Sequence, residues 1–213
     1  MHTGMTGPLL PPAPAGALSS PATARNLLPI LAVLKAHLAA DARVLEVASG
    51  AGEHATAAAR AQPRWRWRPS DPDASARASI AAWRAAAGAP NLLEPIALDA
   101  ADPASWPDER FEAVVCINMV HISPWAATGG LMAGAAQVLV PGGALYLYGP
   151  YRDPEVPLAP SNAAFDDSLK ARDPAWGLRE LEAVKAEAAR HGLVFALRVP
   201  MPANNLSLIF RRP

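Results

Sequence analysis

Eleven residues, Val44-Leu-Glu-Val-Ala-Ser-Gly-Ala-Gly-Glu-His54, constrain this chain more than any other stretch. Apolar residues flank a single glutamate, and two glycines then open a helical run. The pattern predicts a strand that passes through a tight turn into a helix, with backbone bare enough for a ligand to approach it. Gly50-x-Gly52-x-x-Ala55 meets a relaxed dinucleotide fingerprint, with Asp71 about 20 residues on to hold a ribose. Glu46-x-Ala48-x-Gly50-x-Gly52 suits S-adenosylmethionine instead, whose sites place an acidic residue inside the first strand.

Glu46 decides between the two. A carboxylate among Val44, Leu45 and Val47 is costly to bury without a partner. A dinucleotide brings a diphosphate to this turn and gains nothing from a nearby negative charge. A sulfonium amino acid brings an ammonium group that a carboxylate can bind. The alternative is that Glu46 only caps neighbouring backbone amides.

The chain has 213 residues, enough for one full core and short for two. Its 19 basic and 19 acidic side chains cancel, so no global field favours nucleic acid or an anionic membrane. One cysteine, Cys116, excludes an internal disulfide and fits a reducing compartment. Five scattered histidines without paired Cys/His spacing argue against a metal site. The Pro/Gly/Ala-rich residues 1–20 lack the basic start of a signal peptide and read as a disordered tail. A cytoplasmic location is expected, with one domain over 21–213.

Strands are expected at about 43–47, 64–69, 93–98, 113–117 and 144–148, alternating with helices. Residues 24–39 carry a leucine stripe, with Pro29 expected in the first turn and Asn26 as its cap. The helix from Asp73 should stop at Gly88, and Ser123-Pro124 should cap and begin another. A helix over about 178–191 precedes Val194–Val199 and Leu206–Arg211, joined so closely that they must pair antiparallel. The fold class is therefore α/β: a Rossmann-like, mostly parallel seven-stranded sheet, helices on both faces, and an antiparallel C-terminal hairpin. Residues 150–177 form an insertion on the acceptor side.

Ligands of open α/β sheets bind beyond the carboxyl ends of the strands. Those ends supply Ala48 to Gly52, Asp71, Asp99, Asn118 to His121, and Gly149 to Arg152, including Tyr151. The Gly50 and Gly52 amides should face methionine and ribose, Asp71 the ribose hydroxyls, and Asp99 the adenine amino group. Each aspartate also suits a helix or turn cap. Asn118 and His121 follow the fourth strand, where an acceptor sits; His121 is the candidate base because imidazole titrates near neutrality. The plainer role for His121 is pinning the loop before Ser123. Trp106, Trp125 and Trp176 could frame an apolar acceptor, or simply pack.

Several strings together resemble the methyltransferase-like 26 family, within the class I S-adenosylmethionine-dependent methyltransferases. They are Ser20-Pro21 with Arg25-Asn26, Leu45 to His54, Pro69-Ser70-Asp71, Asn118-Met119 with His121-Ile122 and Pro124-Trp125, and Tyr148-Gly149-Pro150. Further strings are Ser161-Asn162 with Phe165-Asp166, Trp176-Gly177 with Arg179, and Met201 to Asn205. The resemblance spans residues 20–212 and implies the fold and the cofactor, S-adenosylmethionine, but no substrate. Two departures are Ala24, Leu27 and Leu28 around Arg25-Asn26, where the family often has polar residues, and Ala51 where threonine is common. Ser49 and His54 join the expected cofactor set from these strings, as does Met119, which equally suits packing. The strings also mark Arg25, Asn26, Ser161, Asn162, Asp166, Arg179, Asn204 and Asn205. These should close over a small polar or zwitterionic acceptor, or else staple loops.

The expected function is methyl transfer to O, N or S of a small molecule. A nicotinamide-dependent oxidoreductase would use the same glycines but leaves Glu46 and the terminal hairpin unexplained. A non-catalytic S-adenosylmethionine-binding protein would bind without turnover. No nucleic-acid or membrane partner is expected, and a homodimer is compatible with the sequence.

Overall fold

The computed structural model describes residues 9–213, which fall into two compact units divided between Leu98 and Asp99. Residues 1–8 of the expected tail lie outside the described residues.

In the first unit, α1 (Pro21–His37) precedes β1 (Arg43–Val47), α2 (Glu53–Ala61), β2 (Arg66–Pro69) and α3 (Ala74–Ala87). β1 and β2 pair in parallel, Val44 opposite Trp67 and Glu46 opposite Pro69. The basic look of β2 resolves by alternation: Trp65 and Trp67 are fully buried, while Arg66 points to solvent. Asp73 caps α3 by accepting from the Ser75 and Ala76 amides, and Gly88 stops it in the left-handed conformation, as expected.

α1 starts earlier than its leucine stripe suggested. Pro21 occupies the first turn, leaving Pro29 inside the helix and Asn26 buried within it rather than capping it. The cap comes from another helix. Glu53 accepts from the Ser20 amide at 2.8 Å and the Ser19 hydroxyl at 3.0 Å, satisfying a donor that α1 leaves open. Leu18 joins the same tether, its amide donating to Ser79 Oγ at 2.8 Å and its carbonyl accepting from Trp83 Nε1 at 3.0 Å.

The main sheet has six strands, not the seven expected. The missing one is the run near 93–98, which makes only isolated parallel bridges, Leu92 to Trp67 and Ser70 to Ile96. Leu93 and Ile96 donate to the Trp67 and Pro69 carbonyls at 2.8 and 3.1 Å, but Pro95 between them has no N–H. The ladder therefore breaks into single rungs.

The second unit runs β3 (Phe111–Ile117), α4 (Trp125–Val138), β4 (Leu139–Gly149), β5 (Tyr151–Arg152), α5 (Pro160–Arg172), β6 (Arg179–Glu180), α6 (Leu181–Arg190), β7 (Val194–Met201) and β8 (Asn205–Arg211). β3 and β4 are parallel, β8 lies antiparallel to β4, and β7 antiparallel to β8. The reversed terminal hairpin is thus present. β5 and β6 make a separate parallel pair. Ser123 does not cap α4: Pro124 holds that position, and the Ser123 hydroxyl donates back to the Met119 carbonyl at 2.9 Å. Trp106 frames no acceptor, because it is buried under Gly134 of α4, where a Cβ would lie 2.0 Å from the indole. Gly134→Ala should accordingly lower stability by about 1–3 kcal/mol, the range of overpacking in a close-packed core. A urea midpoint equal to wild type would show that the indole can move aside.

Candidate functional site

β1 leads Glu46 into the core of the first unit, where it is 1% exposed. One carboxylate oxygen, Oε2, accepts from Trp67 Nε1 at 2.9 Å. Burial raises its pKa from 4.5 to about 7, opposed by the Trp67 and Ser49 hydrogen bonds. The Glu46 carbonyl is held separately, accepting from the Ser70 hydroxyl at 2.7 Å and the Ser49 hydroxyl at 3.3 Å. Ser49 also accepts from the Ser70 amide at 3.1 Å, so the two serines tie the exits of β1 and β2 together.

The turn itself is strained. Ala48 has φ of 56°, a left-handed value rare without glycine, followed by Gly50 at 56° and Gly52 at 95°. A Cβ on Gly50 would meet nothing within 4 Å, so this position faces open space. A Cβ on Gly52 would lie 2.9 Å from Ile80 Cα, so that glycine serves the approach of α2 to α3. Neither amide is free. Gly50 donates to Asp71 Oδ2 at 2.9 Å and Gly52 to the Ser49 carbonyl at 3.1 Å. The glycines here supply shape and approach rather than donors.

Asp71 accepts one further backbone bond, from Asp73 at 3.0 Å on Oδ1, leaving acceptor capacity on both oxygens. His54 meets Asn26, Nε2 to Oδ1, at 2.9 Å, and burial lowers its pKa from 6.5 to about 4. The structure thus gathers Glu46, Ala48, Ser49, Gly50 and Asp71 at the ends of β1 and β2, and pairs Asn26 with His54. Arg25 stays exposed on α1. The sequence carries no signal for the roles of Trp67 and Glu53 beyond an acid beside a glycine turn.

In the second unit, β3 is followed by Asn118, another non-glycine residue in the left-handed region at φ of 67°. Met119 to His121 follow as one 3₁₀ turn, with Met119 buried and touched by the Ser123 hydroxyl. His121 is 3% exposed, its ring edge-on to Phe165 at 5.7 Å. A Cβ on Gly149 would lie 2.9 Å from its Cε1 and Nδ1, so glycine there is what admits the imidazole. Nδ1 is buried with no hydrogen-bond partner in the protein. Burial, then the Arg179 guanidinium, lowers the pKa from 6.5 to about 4, so the ring is neutral at pH 7.

Arg179 is a brace. It donates to the carbonyls of Val120, Ser123 and Ala175 at 3.1, 2.6 and 2.9 Å, and lies over the Trp125 ring. Trp176 meets Arg172 in the same manner, 4.9 Å from ring centre to guanidinium. Asp166 is the buried hub of α5, accepting from Arg152 at 2.5 Å, Lys170 at 2.7 Å and the Leu178 amide at 2.8 Å. Burial alone would raise its carboxyl, but the bonds from Lys170, Arg152 and Leu178 hold it at about 2. Asn162 donates to the Asn204 carbonyl at 3.0 Å, Asn204 to Ser161 at 3.4 Å, and Asn205 to Pro202 and Ala203 at 3.0 and 3.2 Å. These contacts fit the stapling role left open by the sequence. Asp99 is exposed and accepts from the Ala101 amide at 2.9 Å, a turn cap. Tyr151 is buried, and its hydroxyl has no partner in the protein.

Among the described residues, no cluster of three or more His, Cys, Asp and Glu could hold a metal, and no helix is long and apolar enough to cross a membrane.

A family model described as "Protein of unknown function (DUF938)" matches residues 17–212. Solved structures resemble the fold at low identity. An O-methyltransferase family protein from Burkholderia thailandensis is 18% identical with a TM-score of 0.76, over 90% of this chain and 57% of that one. A putative O-methyltransferase from Nostoc punctiforme is 16% identical at TM-score 0.75, over 87% and 56%. The S-adenosylmethionine-dependent methyltransferase SibL is 21% identical at 0.72, over 86% and 53%. The chain therefore spans little more than half the length of the structures it matches, and what they share with it is the fold.

Proposed function

This chain belongs to the DUF938 family, and we propose that it is an S-adenosylmethionine-dependent methyltransferase acting on O, N or S of a small molecule. The finer resemblance to the methyltransferase-like 26 family is part of that proposal. The observation that carries it is Glu46: a buried carboxylate at the exit of β1, held on one oxygen by Trp67, beside a turn that faces open space at Gly50. That donor set fits a cationic, adenosyl-bearing ligand and gives a diphosphate no counter-charge. The methyltransferase fold of the neighbours and the reversed hairpin favour the same reading over a nicotinamide enzyme.

Glu46 would bind the ammonium group and Asp71 the ribose hydroxyls. Ala48 and Ser49 would shape the wall beside the turn. When bound, the cofactor would supply a sulfonium methyl group as the electrophile, so the chain's own residues need only align the acceptor and accept its proton. His121 takes the acceptor's proton. Its Nδ1 is buried against Gly149, so Nε2 is the nitrogen that receives it. Asn118, held by its backbone bond to Tyr148 at 2.8 Å, would orient the acceptor.

Calorimetry with S-adenosylmethionine, S-adenosylhomocysteine and reduced NAD tests the cofactor. Micromolar binding of both adenosyl ligands, lost in Asp71→Ala, is the expected result; binding of reduced NAD alone would overturn it. With an acceptor in hand, His121→Gln should lower kcat by about 10²–10⁴-fold while S-adenosylhomocysteine affinity stays roughly constant. Unchanged turnover would remove His121 from the chemistry.

A further inference from the structure

Residues 18–20, just ahead of α1, bond to two elements that both root in the glycine turn of the first unit. On one side the Leu18 amide donates to Ser79 Oγ at 2.8 Å, and the same hydroxyl donates to the Ala51 carbonyl at 2.7 Å. Ala51 stands between Gly50 and Gly52. On the other side Glu53, the first residue of α2 and the neighbour of Gly52, accepts from the Ser19 hydroxyl and the Ser20 amide. Trp83, further along α3, completes the frame by donating to the Leu18 carbonyl at 3.0 Å.

Polar bonds, not burial, fix this segment. The Leu18 side chain is 50% exposed and Ser19 is exposed, whereas Ser79 and Glu53 beneath them are buried. Ser79 uses its hydroxyl as acceptor and donor at once, so one side chain carries the link from segment to turn.

The turn needs support of this kind. Ala48 is left-handed at φ of 56° without being glycine, a conformation that persists only where its surroundings over-determine it. Gly52 is pressed against α3 as well, since a Cβ there would lie 2.9 Å from Ile80 Cα, next to Ser79. A segment bonded to both Ser79 and Glu53 therefore grips the turn from its two flanks.

We propose that residues 18–20 are a strap that holds the turn in its ligand-binding shape, with Ser79 as the positioning residue through which it acts, so that strap closure and cofactor binding favour each other. Linkage makes the coupling reciprocal: the factor that the strap adds to ligand affinity is the factor that the ligand adds to strap closure. That the ligand is an adenosyl compound rests on the methyltransferase reading; the link between strap and turn does not.

Amide hydrogen exchange on the full chain, with and without S-adenosylhomocysteine, tests it. Leu18→Pro removes the amide that Ser79 accepts, and Ser79→Ala removes the hydroxyl. Each should speed exchange at Gly50 and Gly52 by about fivefold, the worth of one hydrogen bond, while Leu45 in β1 keeps its wild-type rate. Leu18→Ala keeps the amide and trims only a half-exposed side chain, so the turn should exchange as in wild type. Ser19→Glu, at an exposed position, sets a like charge against Glu53; it should act as Leu18→Pro does and takes its place if that variant does not fold. In wild type the ligand should slow exchange of the Leu18 and Ser20 amides by about fivefold, and its affinity should fall by the same factor in Ser79→Ala. Wild-type rates at Gly50 and Gly52 in these variants, or a bound ligand that leaves Leu18 and Ser20 unchanged, would overturn the proposal. Faster exchange at the turn in a protein that binds no adenosyl ligand would sink the methyltransferase reading and keep the strap.

Discussion

Replacing Asp166 by alanine should lower the stability of the protein by about 3 kcal/mol, the lower end for breaking a buried ion pair. The side chain is 1% exposed and carries three hydrogen bonds, two of them from cations. Arg152 and Lys170 both reach solvent and would regain water once released, which keeps the penalty from the upper end. The Leu178 amide is buried and would lose its acceptor outright. Asp166→Asn keeps the volume and an oxygen for that amide, so it should lose about half as much. The consequence reaches the proposed base. Phe165, next to Asp166 on α5, walls one side of His121, and the Gly177 amide, next to Leu178, donates to the His121 carbonyl at 3.0 Å. With the hub gone, water should reach the ring, and the His121 pKa should climb from about 4 toward 6.5. Urea unfolding and an NMR titration of His121 read both effects. A stability change below roughly 1 kcal/mol would show that α5 is held by its other contacts.

Asp166 also marks where the sequence stopped being legible. The strand–turn–helix at Glu46, the helix from Asp73 with its stop at Gly88, and the terminal hairpin rest on signals confined to a few neighbouring residues, and all are present. The helix over Pro160–Arg172 is not legible in the sequence because its buried face is Asn162, Asp166 and Leu169. That spacing is helical, but two of the three members are polar, so no apolar stripe announces it. The strand near 93–98 failed for the opposite reason: its apolar residues look like a strand, yet a single proline removes the donor a ladder needs. At the site, residue types and strand ends could be read, but partners could not. That Gly50 donates to Asp71, that Trp67 holds Glu46 and that Gly149 makes room for His121 are contacts across 21 to 28 positions of chain, which local pattern does not encode.

Acid should destabilise the protein through two histidines while a glutamate acts in the opposite sense. His54 and His121 are lowered from 6.5 to about 4 in the folded state, chiefly by burial. Between those values the unfolded chain binds protons that the folded one does not. Their contribution is complete above pH 6.5 and is lost as pH falls toward 4, about 3 kcal/mol for each. Glu46 is raised from 4.5 to about 7, so its contribution is complete below pH 4.5 and is lost as pH rises through 7, again about 3 kcal/mol. Over the descent from pH 7 to pH 4 the two histidines outweigh the one glutamate, and the net loss is about 3 kcal/mol. Thermal melts across that range should show a falling Tm. His54→Gln and His121→Gln should each flatten the acid limb, and Glu46→Gln should steepen it while removing the decline toward pH 8. The variants carry the argument, because each deletes one titration and leaves the others. If Glu46→Gln melts in parallel with wild type at every pH, the carboxyl is already ionised in the fold, and its bond to Trp67 outweighs its burial. The turn would then meet a cationic ligand with full negative charge at any pH above about 5, and ligand affinity would be flat through neutrality. If the variant diverges from wild type as expected, binding of an ammonium group must drive a proton off Glu46, and affinity for S-adenosylhomocysteine should rise as pH passes 7.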